Sequence, residues 1–88
     1  MASYEVVFRP SVHKDLRRLP HSYVVRIMAK IEGLAEDPLP DGAIQLSDTD
    51  RLYRLRVGDY RVIYEVHVQE QQLIVLYVRH RRDAYRGL

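Results

Sequence analysis

Hydrophobic and polar positions along the chain follow two rhythms. Tyr4-Glu5-Val6-Val7-Phe8-Arg9 is rich in β-branched and aromatic residues and is stopped by Pro10, which predicts a first strand. Beyond it the spacing lengthens. Val12, Leu16 and Leu19 form a helical stripe that starts at an N-cap Ser11 and ends at Pro20. A second stripe of Val24, Ile27, Met28, Ile31, Leu34 and Ala35 predicts a helix from near Ser22 to Asp37-Pro38, with Arg26, Lys30 and Glu32 turned outward. Two helices joined so tightly form a hairpin.

From Asp37 to Asp50 the chain holds Pro38, Pro40 and Gly42 and then Ser47-Asp48-Thr49-Asp50, which reads as loop. Three strands follow, over Arg51–Val57, Tyr60–Val68 and Leu73–Arg79. The order is β-α-α-β-β-β. This is an α+β fold in which a helical hairpin packs on one face of a mainly antiparallel four-stranded sheet.

Gly58-Asp59 is the most informative pair of residues in the sequence. As a two-residue hairpin loop it sets Val57 opposite Tyr60 and assigns every side chain of both strands to a face. Tyr53, Leu55, Val57, Tyr60, Val62 and Tyr64 share one side, an apolar and aromatic surface suited to lie beneath the helices. The other side gathers Arg54, Arg56 and Arg61, with Leu52, Ile63 and Glu65. There Arg56 stands directly opposite Arg61, and like charges so placed cost about as much as favourable cross-strand pairs contribute, ~0.2–1 kcal/mol. A solvated polar face accounts for the arginines in general. An anion site accounts for that opposed pair.

Composition sharpens the picture. Eighty-eight residues make one domain spanning 1–88, and a chain so short buries only ~60–65% of its unfolded surface. Its 47% hydrophobic and 30% charged content is that of a folding globular domain. With no cysteine there is no disulfide, thiolate nucleophile or cysteine-bound metal, as expected in a reducing cytoplasm. No leader or membrane span is expected, since the N-terminus lacks a basic start and the longest apolar run is Leu73 to Val78. The net charge of +2 hides an asymmetry. Residues 51–88 carry eight arginines and no lysine against four acids, whereas residues 1–50 are net acidic. A guanidinium stays charged and matches phosphate with a planar fork, so nucleic acid is the expected partner of the second half.

Leu73-Ile74-Val75-Leu76-Tyr77-Val78 is apolar on both faces and predicts an inner strand. It runs into Arg79-His80-Arg81-Arg82-Asp83-Ala84-Tyr85-Arg86. A basic tail with Tyr85 pinned to the core would explain the charge, but an inner strand also delivers its terminal residues to a set place beside the other arginines. The RNA-contacting set is then Arg54, Arg56, Arg61, Arg79 and Arg82. Cutting RNA without a metal needs a base for the 2′-hydroxyl, cations for the in-line phosphorane-like state and an acid for the leaving 5′-oxygen. Arginine fills only the second role, which leaves His80, Tyr85 and Glu65 as titratable candidates; Glu65 can also simply neutralise Arg54 across the hairpin. His13, His21, His67 and His80 show no metal-ligand spacing, and no phosphate-cradling glycine loop is present.

The run from Tyr53-Arg54-Leu55-Arg56-Val57-Gly58-Asp59-Tyr60-Arg61 to Glu65-Val66, followed by Val78-Arg79-His80-Arg81-Arg82-Asp83-Ala84-Tyr85-Arg86, resembles the RelE toxins of the RelE/ParE toxin–antitoxin superfamily. The resemblance implies the toxin of a type II pair, a ribosome-dependent messenger endoribonuclease acting by 2′-hydroxyl attack with no cofactor. By motif position it assigns the site to Arg54, Arg56, Arg61, Arg81 and Tyr85, with Arg61 and Arg81 stabilising phosphate and protonating the leaving group and Tyr85 stacking on a base or aiding proton transfer. It also implies an acidic, partly disordered RelB-like antitoxin, with ribosome and messenger as further partners. Many relatives carry lysine where this chain has Arg54 and Arg56, and an arginine cannot release its proton as a lowered-pKa lysine can. A ParE-like inhibitor of DNA gyrase is the alternative on the same fold.

Overall fold

The computed structural model describes residues 3–46 and 51–84. Strand β1 spans Glu5–Phe8, helix α1 Pro10–Arg17 and helix α2 His21–Leu34, followed by β2 Ile44–Gln45, β3 Leu52–Val57, β4 Tyr60–His67 and β5 Gln72–His80. The strands form one sheet in the order β1-β5-β4-β3-β2, antiparallel except for the β1–β5 pair. The expected order of elements and the helical layer are present. The strand count is corrected to five, because Ile44–Gln45, read as loop, pairs with Tyr53 and Arg54 of β3. A two-residue edge strand carries too little alternation to register as a pattern, and only its neighbour makes it a strand.

The helices cover the sheet through Val12 of α1 and Ile27, Ile31 and Leu34 of α2, all buried against Leu55, Val57, Val62, Tyr64, Val66, Leu73, Val75 and Val78. Full burial of an aliphatic side chain of this size stabilises by ~1.5–3 kcal/mol, so this layer supplies the main cohesive term. Tyr64 is enclosed, and its hydroxyl donates to the Pro38 carbonyl at 2.8 Å, which ties the segment after α2 to the sheet. Burial, with Tyr53 and Asp37 nearby, raises its pKa well above the ordinary tyrosine value.

Helix α1 starts two residues earlier than the pattern suggested. Pro10 occupies its first turn, where a preset φ helps and a missing N–H costs nothing, and Arg9 rather than Ser11 is the N-cap. Ser11 has other work. Strand β1 stops pairing with β5 at Phe8–Val75, which leaves the rest of that edge of β5 without a strand beside it. The Arg9 N–H donates to the Val75 carbonyl at 3.0 Å, the Ser11 hydroxyl to the Leu76 carbonyl at 2.9 Å, and the Val78 N–H to Asp15 Oδ2 at 2.9 Å. Ser11 and Asp15 lie one helical turn apart on the same side of α1. The helix thus stands in for a strand and satisfies backbone groups that burial would otherwise penalise.

Between β4 and β5 the register shifts: Ile63 faces Tyr77, Tyr64 faces Val75, and Leu76 is the extra residue. This bulge inverts the alternation of everything after it. Leu73, Val75 and Val78 all reach the helix-covered core, while Tyr77 and Arg79 turn to the far face.

Candidate nucleic-acid interface

The Gly58-Asp59 turn forms as the sequence predicts, with Val57 paired to Tyr60 and Arg56 to Arg61. Gly58 has φ +58°, a left-handed value that glycine adopts without penalty. A Cβ at this position would meet Tyr23 Cε1 at 2.9 Å, so the turn also needs glycine because α2 presses against it. Tyr23 packs edge-on against Tyr60 with ring centroids 4.8 Å apart, and Tyr60 packs edge-on against His80 at 5.5 Å. These three rings brace the hairpin tip from the helix side.

On the far face three arginines form one row across three neighbouring strands. Arg56 of β3 pairs with Arg61 of β4, and Arg61 pairs with Arg79 of β5. In the next row Arg54 pairs with Ile63 and Ile63 with Tyr77, and the Arg79 guanidinium lies 4.0 Å above the Tyr77 ring. Arg61 Nη1 donates to the carbonyls of Gly58 at 3.1 Å and Tyr60 at 3.0 Å, while Arg56 Nε reaches the same Gly58 carbonyl at 3.4 Å. The half-buried Arg61 is therefore held in place by the backbone. Arg54, Arg56 and Arg61 have no carboxylate partner among the described residues. The charge of these three side chains is therefore not neutralised by a carboxylate of the described residues, a pattern suited to an anion.

The structure sorts the expected site residues into three places. Arg54, Arg56 and Arg61 are together as expected, and Arg79, expected only to contact RNA, is the third member of the row. Arg81 and Arg82 are exposed beyond the end of β5, where the Arg81 N–H donates to the Asp59 carbonyl at 2.8 Å beside the hairpin tip. His80 does not join the guanidinium groups. The bulge at Leu76 sends it to the helix side against Tyr60, and its Nδ1 accepts the Arg82 N–H at 3.3 Å. Tyr85 lies outside the described residues.

Two further expectations are corrected. Glu65 does not neutralise Arg54, since its Oε1 lies 3.0 Å from His67 Nε2, two residues along the same strand face. The far face is also not simply solvated: Ile63 is fully buried there, outside the cluster beneath the helices. No group of histidines and acids fit to hold a metal occurs among the described residues. None of the described helices is long and apolar enough to cross a membrane.

A helical hairpin packed on one face of a mainly antiparallel five-stranded sheet is the RelE-like fold. The family described as the ParE toxin of type II toxin–antitoxin systems, parDE, matches residues 6–85, and the chain belongs to it, within the RelE/ParE superfamily. A protein named as a RelE1 toxin from Methanocaldococcus jannaschii is 31% identical over 87 residues, covering 96% of this chain and 97% of that one. Toxin RelG of Mycobacterium tuberculosis is 29% identical over 84 residues, covering 94% and 97%. Among solved structures, the archaeal RelE–RelB complex from Pyrococcus horikoshii superposes with a TM-score of 0.82 at 33% identity, covering 93% of this chain and 99% of that one.

Proposed function

We propose that this chain is the toxin of a type II pair that cuts messenger RNA on the ribosome by attack of a 2′-hydroxyl on the adjacent phosphate. The attack forms a 2′-O–P bond and breaks the P–O5′ bond, leaving a cyclic phosphate and a free 5′-hydroxyl. The observation that carries this reading is the Arg56–Arg61–Arg79 row, three guanidinium-bearing residues in register across adjacent strands. Such a row neutralises the charge that builds on the equatorial oxygens, and the double carbonyl anchor of Arg61 orders that cation before the substrate arrives. The pairing of Arg79 with Arg61 supports a share for Arg79 in the phosphate-stabilising role that motif position assigns to Arg81.

Arginine stays protonated at any pH at which the protein folds, so the row stabilises charge and supplies no general base. Cleavage should then be slow and should depend on the ribosome holding the messenger in line. The toxin acts in the cytoplasm, where its substrate is. Its partner is an acidic antitoxin that lies over the basic surface, a reading supported by solved relatives captured as RelE–RelB complexes. Purified chain added to translating ribosomes, with messenger ends mapped, tests the proposal: new ends inside codons are expected, and intact messenger at growth-inhibiting doses rejects it.

The match to the ParE family favours one second reading, inhibition of DNA gyrase without RNA cutting. A supercoiling assay separates the two. Stalled gyrase with intact messenger would select the second.

A further inference from the structure

A concavity of about 450 Å³ opens where β5 outruns β1, lined by Asp15, Arg18 and Leu19 from the end of α1 and by Tyr60, Arg79 and His80 from the sheet. Its wall combines the Leu19 side chain and the Tyr60 ring with both signs of hydrogen bond, and Asp83 borders it. Leu19 and Tyr60 pack on the core. Asp15 spends Oδ2 on the Val78 N–H, which leaves Oδ1 as an acceptor. His80 accepts the Arg82 N–H at Nδ1, which leaves Nε2 as the ring's donor. Arg18 adds a second donor group. Arg79 belongs to both places, since it pairs with Arg61 in the guanidinium row and also borders the concavity.

We propose that this concavity is a base-binding subsite: a nucleotide whose phosphate rests on the arginine row turns its base past Arg79 and into the space between Tyr60, His80 and Leu19. This rests on the reading of the row as a phosphate site. A nucleobase has a flat apolar face and an edge of mixed donors and acceptors, which is the chemistry the wall presents; a bare phosphate or sugar uses only part of it. The wall lies on the helix side, away from the row itself, so the two subsites meet only at the end of β5.

The test is an NMR titration of the whole chain with AMP, GMP, CMP and UMP in turn, beside ribose 5-phosphate and inorganic phosphate. Leu19, Tyr60 and His80 resonances should shift with nucleotides and saturate at concentrations at least fivefold lower than with ribose 5-phosphate. Equal saturation, or shifts confined to Arg56 and Arg61, would overturn the subsite. Leu19→Trp, which fills the space, should erase the difference if its thermal transition is retained, and the exposed Arg18→Glu should weaken nucleotide binding whether or not Leu19→Trp folds. A preference for nucleotides that survives in a folded Leu19→Trp or in Arg18→Glu would count against the proposal. The titration needs no turnover. Intact messenger on ribosomes would remove the cleavage reading alone, whereas a flat titration beside active cleavage would remove this one alone.

Discussion

Arg56 and Arg61 face each other across the β3–β4 ladder and share one acceptor, the carbonyl of Gly58, at 3.4 Å from Arg56 Nε and 3.1 Å from Arg61 Nη1. Two cations drawn to one turn carbonyl repel each other and leave the rest of their donors facing outward. The arrangement trades fold stability for a positive site. That trade can be measured in both directions.

Arg61→Ala should lower messenger cleavage on ribosomes by about 10²–10³-fold, the usual cost of losing one preorganised donor to the transition state. The fold should survive, because the lost backbone bonds are offset by relief of repulsion from Arg56 and Arg79. Cleavage rates from mapped messenger ends and a thermal melt check both parts. A melt that collapses would mean that Arg61 is chiefly structural.

Arg56→Glu should stabilise the fold by about 0.5–1 kcal/mol, since an opposite-charge pair would replace a like-charge one across the ladder. In a domain of this size that raises the midpoint by a few degrees. Activity should fall in the same protein. A midpoint at or below that of the parent would show that the opposed arginines carry no strain.

Gly58→Ala should destabilise by about 1–3 kcal/mol through the left-handed φ and the 2.9 Å approach of Tyr23. Denaturant unfolding measures the loss. Truncating Tyr23 to Ala in the same chain removes the contact but not the φ penalty, so only part of the loss should be recovered in a double-mutant cycle.

Tyr64 sets an alkaline limit. Its pKa is raised in the folded chain by burial first, then by Tyr53 and Asp37. The stability contributed by keeping the phenol neutral is fully present below the unfolded value of ~10 and is lost as pH rises toward the folded value, because the unfolded chain ionises first. Unfolding free energy measured between pH 8 and 11 should fall at the upper end. Tyr64→Phe should flatten that fall while lowering stability at pH 8 by about 1 kcal/mol, for the lost bond to the Pro38 carbonyl.

What the sequence determined by itself was the arrangement of neighbours along the chain. The glycine-led turn and the strict alternation on either side of it leave one register for β3 and β4, so the Arg56–Arg61 opposition and the helix-covered face of Tyr53, Leu55, Val57, Tyr60, Val62 and Tyr64 could be read from order alone. Only the tertiary structure decided what β5 contributes. Its bulge at Leu76 arises from pairing with β4, from the end of β1 and from a helix whose Ser11 hydroxyl, 65 positions earlier in the chain, donates to the Leu76 carbonyl. A local pattern cannot report such an insertion, yet a shift of one residue reverses every later side chain. That reversal brings Arg79 into the guanidinium row and sends His80 to the opposite face, and a separate pairing with β3 turns Ile44–Gln45 from loop into edge strand.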